Sequence, residues 1–316
     1  MRRIRCDVLI RLCVILGLLT GCDARDESRL WEPLTTELPP VQTLTILNDG
    51  ALLVGTAEGL FYHPEAPAWE VWGDSLWDVR AVMQIPGPDL FVGTQTGLYA
   101  AVPPYKTWRE AGSAQFTAVT ALVLNSAGHL LAGTASGDIF QSTDTGYTWV
   151  PAAPIGLSDI SVRAMWINSQ NQVLFSSPGH GIFRSGNDCT EGVCTGWTYL
   201  THIEANAFCS PATGIVLAGS SQGIHRSSDG GDTWEHVHAG IAVYAFLVLD
   251  SHRIVAGGTT GLRISHDEGT TWSEISTGES SNEPHITALA VDGADFLIFG
   301  TADGTVVKSQ IPASTL

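Results

Sequence analysis

This sequence predicts an all-β fold: a seven-bladed β-propeller of four-stranded antiparallel blades, its ring closed by an N-terminal strand that completes the last blade. Three observations carry that expectation. Tryptophan recurs at Trp31, Trp69, Trp108, Trp149, Trp197, Trp234 and Trp272, in steps of 38, 39, 41, 48, 37 and 38 residues, and a period near 40 with several short strands per unit marks propeller blades. Between the tryptophans an apolar run into Gly-Thr or a close relative returns, at Gly55, Gly93, Gly133, Ser176, Gly219, Gly257 and Gly300. The two ends are also halves of one unit. Phe299-Gly300-Thr301 and Val306-Val307-Lys308 are followed by no fourth strand, and Trp31 is preceded by no first three. Joining them pairs edges that would otherwise stay open.

Each repeat reads as four segments. The first is apolar-x-Ala-x-apolar, as in Val79-Arg80-Ala81-Val82, Val119-Thr120-Ala121-Leu122 and Ile286-Thr287-Ala288-Leu289. The second runs into Gly-Thr, as in Leu53-Val54-Gly55-Thr56, and the third opens on glycine, as in Gly59-Leu60-Phe61 and Gly97-Leu98-Tyr99. The fourth begins at the repeating tryptophan. Alternation, β-branched and aromatic content and Gly/Asn/Asp punctuation all favour strands, and no stretch after residue 21 sustains a helical period. Length alone would allow two domains, but the unbroken repeat argues for one closed unit over residues 31–316.

Residues 1–21 have a basic start (Arg2, Arg3, Arg5), an apolar core from Val8 to Leu19 and small residues before Cys22. That order describes a secretory signal too short to span a membrane. Leu19-Thr20-Gly21-Cys22 resembles the lipobox of bacterial lipoproteins, and the resemblance implies cleavage before Cys22 and lipid attachment to it. The chain would then sit in the cell envelope, on the periplasmic or extracellular side of a membrane, with residues 22–30 as a tether. Eight residues from Asp23 to Leu30 reach at most roughly 26 Å. The blade end where the fourth strands start is therefore expected to face the membrane.

Charge narrows the partners. The formal charge is −17; losing Arg2, Arg3, Arg5, Arg11 and Asp7 with the signal moves it to −20. So acidic a body argues against nucleic acid and against electrostatic adhesion to anionic lipid. Membrane contact would come through the lipid on Cys22. Cys189 and Cys194 bracket four residues in the longest repeat, and in an exported chain that spacing predicts a local disulfide. Cys209, on an apolar strand, reads as a buried free thiol. Neither set offers zinc-ligand spacing, and no cofactor is expected.

Three repeats carry Ser-x-Asp-x-Gly-x-Thr-Trp ahead of the fourth strand: Asp144, Gly146 and Trp149; Asp229, Gly231 and Trp234; Asp267, Gly269 and Trp272. A variant, Ser185-Gly186-Asn187-Asp188, precedes Trp197. The motif resembles the Asp-box, or BNR repeat, of sialidase-like and related propellers. Its expected physics is local: the aspartate accepts backbone N–H bonds across the turn, glycine supplies positive φ, and tryptophan buries a large ring.

Binding is expected on the opposite face, where the fourth-to-first connections vary most. Trp77, Phe116, Tyr244 and His285 offer contact surface there, with Asp78, Arg80, Asp159, Arg163, Glu204 and Glu283 as polar partners. Arg80 and Arg163 share one repeat position with Gln42, Thr120, Asn206, Tyr244 and Thr287, expected to ring the mouth of the central channel. The two arginines could hold a carboxylate or phosphate, or pair internally with Asp78 and Asp159. His225, His236 and His238 form a weak metal candidate if their hairpin pairs symmetrically; otherwise they are histidines on an outer strand.

Sialidases share only the box: their Arg-Ile-Pro motif is missing here, and Arg184, Arg226 and Arg263 lie on third strands. Nearly the whole chain after the signal is similar to the seven-bladed Asp-box propellers, which include photosystem II stability/assembly factor-like lipoproteins and xyloglucanase-like glycoside hydrolases. The first group implies a propeller that binds partner proteins and performs no chemistry, and the expectation for this chain is a non-catalytic scaffold that binds protein or glycan through its outward face. The second implies a glycoside hydrolase or lyase, which needs two carboxylates about 5–9 Å apart across a sugar-sized groove.

Overall fold

A computed structural model describes residues 30–64, 69–73, 76–87, 89–112, 116–153, 155–186, 188–190, 192–277 and 283–316. The signal sequence, Cys22 and all but the last residue of the tether lie outside the described residues.

Seven four-stranded antiparallel sheets stand around one axis. Their first strands are Val41–Ile46, Ala81–Gln84, Val119–Leu124, Ala164–Ile167, Ala205–Cys209, Val243–Val248 and Ile286–Val291, opening blades 1 to 7 in turn. These strands touch one another in a closed cycle, so they line the axis. Blade 7 takes its outer strand from the other end of the chain: Trp31–Thr35 pairs with Val306–Pro312, with Trp31 opposite Ser309 and Glu32 opposite Lys308. The Trp31 indole also donates to the Ser276 carbonyl at 2.9 Å and meets Phe299 edge-on at 5.3 Å. A turn of 3-10 helix covers Ala313–Thr315.

Burial explains the repeat. The second strands of blades 1 to 6, such as Leu52–Thr56, Leu90–Thr94 and Leu130–Thr134, are buried along their whole length, and that of blade 7 along all but Phe296, since a blade lies on each side. The glycine of Gly-Thr sits where blades converge. A Cβ on Gly133 would lie 2.5 Å from Val162 of the next blade, and one on Gly93 2.8 Å from Val119. Away from the axis the blades diverge, and outer strands such as Arg109–Glu110 and Val150–Pro151 are short and exposed.

The three Ser-x-Asp-x-Gly-x-Thr-Trp turns are built alike. Asp144 accepts from the Thr148 N–H at 2.8 Å and its hydroxyl at 2.6 Å, while the Ser142 hydroxyl accepts from the Gly146 N–H at 2.8 Å. Asp229 and Asp267 repeat these bonds with Thr233 and Thr271. Burial works to raise the Asp144 and Asp229 carboxyls, but these hydrogen bonds outweigh it and hold both at about 2. The turn is not purely local. A Cβ on Gly146 would meet Phe91 at 2.5 Å, one on Gly231 Leu174 at 3.1 Å, and one on Gly269 Leu217 at 2.6 Å. Those three residues hold the same place in the second strand of the preceding blade, so each turn also clamps two blades together.

Cys189 and Cys194 are disulfide-bonded and fully buried, with Cα atoms 5.0 Å apart. Cys209 is free, and burial pushes its thiol well up.

Candidate functional site

Five first strands carry a β-bulge at one repeat position. The pairing slips between Val41 and Thr43, Val119 and Ala121, Ala205 and Ala207, Val243 and Ala245, and Ile286 and Ala288. The residue left over in each is Gln42, Thr120, Asn206, Tyr244 or Thr287. A bulge re-aims its extra side chain away from the ladder. In blades 2 and 4 the equivalent residues, Arg80 and Arg163, stand just ahead of strands that begin at Ala81 and Ala164. All seven side chains line one cavity of about 590 Å³ at the channel mouth.

Most of this ring stitches blade to blade. Thr120 donates to the Val162 carbonyl at 2.5 Å, Asn206 to Val243 at 3.0 Å and Thr287 to Val41 at 2.6 Å. Gln42 instead donates to Asp78 at 2.7 Å, leaving its own Oε1 buried without a partner. The two arginines diverge. Arg80 pairs with Asp78 through Nε at 3.0 Å and Nη2 at 2.5 Å. Burial would raise the Asp78 carboxyl, yet hydrogen bonds from Arg80 and Gln42 and the Arg80 charge hold it below its ordinary value. Arg163 does not pair with Asp159; it is exposed and donates to Asn206 Oδ1 at 2.8 Å. Among the described residues Arg80, Arg184, Arg226, Arg253 and Arg263 each have a carboxylate partner; Arg163 and Arg109 have none, Arg109 lying instead over the Tyr147 ring at 5.0 Å.

The other candidates separate. Trp77 is 56% exposed and Asp159 and Glu204 are exposed, so they remain available on this face. Phe116 is not: it packs on Phe140 at 4.6 Å and edge-on against Trp149 at 5.3 Å. Tyr244 tilts over His285 at 4.9 Å. His285 and Glu283 border a cavity of about 700 Å³ at the seam of blades 6 and 7, where Thr277 donates to Glu283 at 2.7 Å.

The histidine hairpin is not symmetric. His225 pairs with His236, their rings stacked at 4.4 Å and 12°. A bulge between Ile224 and His225 then sets His238 opposite Ile224, out of step with His225. Among the described residues no three such side chains converge as metal ligands. His225 instead lines a separate cavity of about 390 Å³ with His180 and His202. Sequence reasoning missed those two. Reading His180 against the equivalent turn at Gln222, one blade on, would have placed it at the same groove.

No family model and no curated protein matches this chain. Its fold does recur among solved structures. The extracellular domain of BT4673 from B. thetaiotaomicron is similar over 90% of this chain and 40% of its own, with a TM-score of 0.73 and 14% identity. The extracellular domain of BT3049 from the same organism gives a TM-score of 0.73 and 14% identity, over 90% of this chain and 42% of its own. YCF48 from Cyanidioschyzon merolae is similar over 89% of this chain and 98% of its own, with a TM-score of 0.67 and 12% identity. The chain thus spans about 40% of the length of the two extracellular domains. At these identities the likeness is one of fold.

Proposed function

We propose that this chain is a non-catalytic, lipid-anchored Asp-box propeller of the cell envelope that docks a partner through its channel-mouth face. The observation that carries this reading is Arg163: an exposed cation on a rigid ring, without a carboxylate partner among the described residues, in a chain of net charge −17. Guanidinium groups hold carboxylates bidentately, and Asn206 fixes one edge of this one. Exposed Trp77, on the same end of the barrel, adds an aromatic anchor of the kind that dominates protein interfaces. A partner presenting an acidic group fits this surface.

The tether reading follows from chain order. Trp31 begins the outer strand of blade 7 at the end where the Ser-x-Asp turns lie, which would set those turns toward the lipid and the mouth outward. The neighbours of known structure support a binding role by analogy only: two are extracellular domains and the third is YCF48.

The glycoside hydrolase or lyase reading finds less support. A glycosidase acid needs a carboxyl raised toward neutrality. Among the described residues, every aspartate whose carboxyl is displaced is displaced downward.

The experiment is a crosslinking pull-down of the intact protein from native membranes, beside Trp77→Ala/Arg163→Ala and Cys22→Ser. A protein captured by wild type and lost with the double variant supports mouth docking, and release of Cys22→Ser into the soluble fraction supports lipidation. Equal capture by both forms sinks the docking site.

A further inference from the structure

Blade 2 has no Ser-x-Asp turn. In its place Val102-Pro103-Pro104-Tyr105 turns back between the third and fourth strands, closed by the Tyr105 N–H on the Val102 carbonyl at 2.8 Å. Tyr105 roots this turn: it is buried, its ring lies 5.4 Å from Trp72 of blade 1, and its hydroxyl accepts from Gln84 at 3.0 Å. The three residues before it stand out of the barrel. Val102 is 54% exposed, and Pro103 and Pro104 are exposed with it. In the adjacent blade the Ser-x-Asp turn carries Tyr147, at 68% the most exposed large apolar side chain among the described residues, and exposed Val150 follows.

These side chains form one crest. Arg109 is paired with Ala100, two residues before Val102, and lays its guanidinium over the Tyr147 ring at 5.0 Å, so it joins the two turns. It is exposed and has no carboxylate partner among the described residues. Asp144, in the same turn as Tyr147, directs its carboxylate inward, onto the N–H groups of Tyr147 and Thr148 and the hydroxyls of Ser142 and Thr148. Lys106 adds a second cation, 3.6 Å from Glu70. Blades 5 and 6 are acidic at the same end: where blade 3 has Tyr147 they carry Asp232 and Thr270, beside Asp229, Asp267 and Glu268. Their turns close with the same hydrogen bonds as that of blade 3, so folding does not require the exposed tyrosine. A contiguous apolar tip with a cation at its edge marks an interaction surface.

Chain order selects the occupant. The fourth strands start at this end, Trp31–Thr35 among them, and the eight residues from Asp23 to Leu30 reach at most roughly 26 Å back to Cys22. On the lipid-anchored reading above, on which this inference rests, the crest therefore lies within reach of the bilayer. Its chemistry fits that boundary: aliphatic side chains enter the apolar margin, tyrosine favours the headgroup level, and an unpaired guanidinium meets lipid phosphate. We propose that Val102, Pro103, Pro104 and Tyr147 insert into the headgroup layer of the anchoring membrane, with Arg109 on its phosphates. So few side chains on a body of charge −17 do not hold the protein by themselves. The lipid holds it, and the crest sets its tilt, lowering blades 2 and 3 and lifting the acidic blades 5 and 6.

The test places nitroxide labels on the full lipidated chain bound to vesicles of phosphatidylethanolamine and phosphatidylglycerol. With Cys189 and Cys194 disulfide-bonded and Cys209 buried, the label goes to an introduced cysteine: Val102→Cys, Tyr147→Cys or, on the opposite face, Leu157→Cys. Collision with a water-soluble nickel complex should be several-fold slower at positions 102 and 147 than at 157. Adding Val102→Asp should speed collision at position 147 several-fold and leave the unfolding midpoint unchanged, since the site is exposed. Equal rates at all three positions on vesicle-bound protein overturn the crest and leave the anchor standing. Wild type that stays in solution beside Cys22→Ser refutes the anchor, and this proposal falls with it. Protection of 102 and 147 in native membranes but not on pure lipid assigns the crest to a protein partner and also overturns the proposal.

Discussion

Ser176 stands where the other six blades have the glycine of Gly-Thr, and Ala205 stands where the next blade elsewhere has a β-branched residue. In the other pairs an added Cβ would crowd the branched side chain, at 2.5 Å for Gly133 with Val162, 2.6 Å for Gly219 with Val243 and 2.8 Å for Gly93 with Val119. The strand Val173–Ser177 abuts the strand Ala205–Cys209 in the same way. Blade 4 has thus traded a larger second-strand residue for a smaller one beyond it.

The trade is measurable. Ala205→Val alone should cost about 1–3 kcal/mol of unfolding free energy by overpacking. Ser176→Gly should be nearly neutral, since it also removes a buried hydroxyl that has no partner. The double variant should recover at least about 1 kcal/mol relative to the sum, a coupling read by urea denaturation. Strict additivity would show that the two residues do not share space.

The Ser-x-Asp turns give a paired test. Thr145 and Gly146 both adopt positive φ, 58° and 81°. Gly146→Ala places a Cβ in a disfavoured region and 2.5 Å from Phe91, so it should destabilise by about 2 kcal/mol or more. Thr145→Gly relieves a β-branched residue in the same region and should be neutral or stabilising by up to about 1 kcal/mol. The two unfolding midpoints should move in opposite directions.

The blades were legible because their determinants are short-range and repeated: Trp, Gly-Thr and the Ser-x-Asp turn each mark one place in the unit. Ring membership at the mouth was legible for the same reason, since Gln42, Arg80 and Thr120 follow from repeat position. What each ring member does was not. Asp78 and Asp159 both take positive φ, 54° and 57°, and Val79 and Val162 are held alike to the preceding blade. What differs is spacing: Asp78 lies two residues before Arg80 and also accepts from Gln42, while Asp159 lies four residues before Arg163 and no pair forms. The groove of blades 4 and 5 was hidden because His180, His202 and His225 come from two turns and a strand, distant in sequence. The bulge that displaces His238 leaves no sequence signature. Phe116 read as surface because its partners, Phe140 and Trp149, are remote along the chain.

The two arginines should separate stability from binding. Arg80→Ala strips the partly buried Asp78 of its partner and should destabilise by about 1–2 kcal/mol. Arg163→Ala, at an exposed site, should stay within about 0.5 kcal/mol of wild type yet lose the docked partner. Loss of capture only with Arg80→Ala, in step with its lower stability, would show that folding and not docking was being read.

Acid should weaken the fold in two stages. Burial, with His236 and His202 nearby, pushes His225 down from its ordinary 6.5 to about 4, and His180 and Glu204 share its cavity. Above pH 6.5 the ring is neutral both folded and unfolded, so its contribution is complete. As pH falls toward 4 the unfolded chain takes up a proton that the folded chain refuses, and stability drops by an amount of order 2 kcal/mol. The turn carboxylates act later. Asp144 and Asp229 ordinarily titrate at 3.8 and are held at about 2, so their contribution is present above 3.8 and disappears between those values. Urea midpoints of wild type and His225→Phe at about pH 7.5 and about pH 4.5 isolate the first stage. The variant should lose less stability than wild type across that interval, and an equal loss in both would assign the acid sensitivity to groups other than His225.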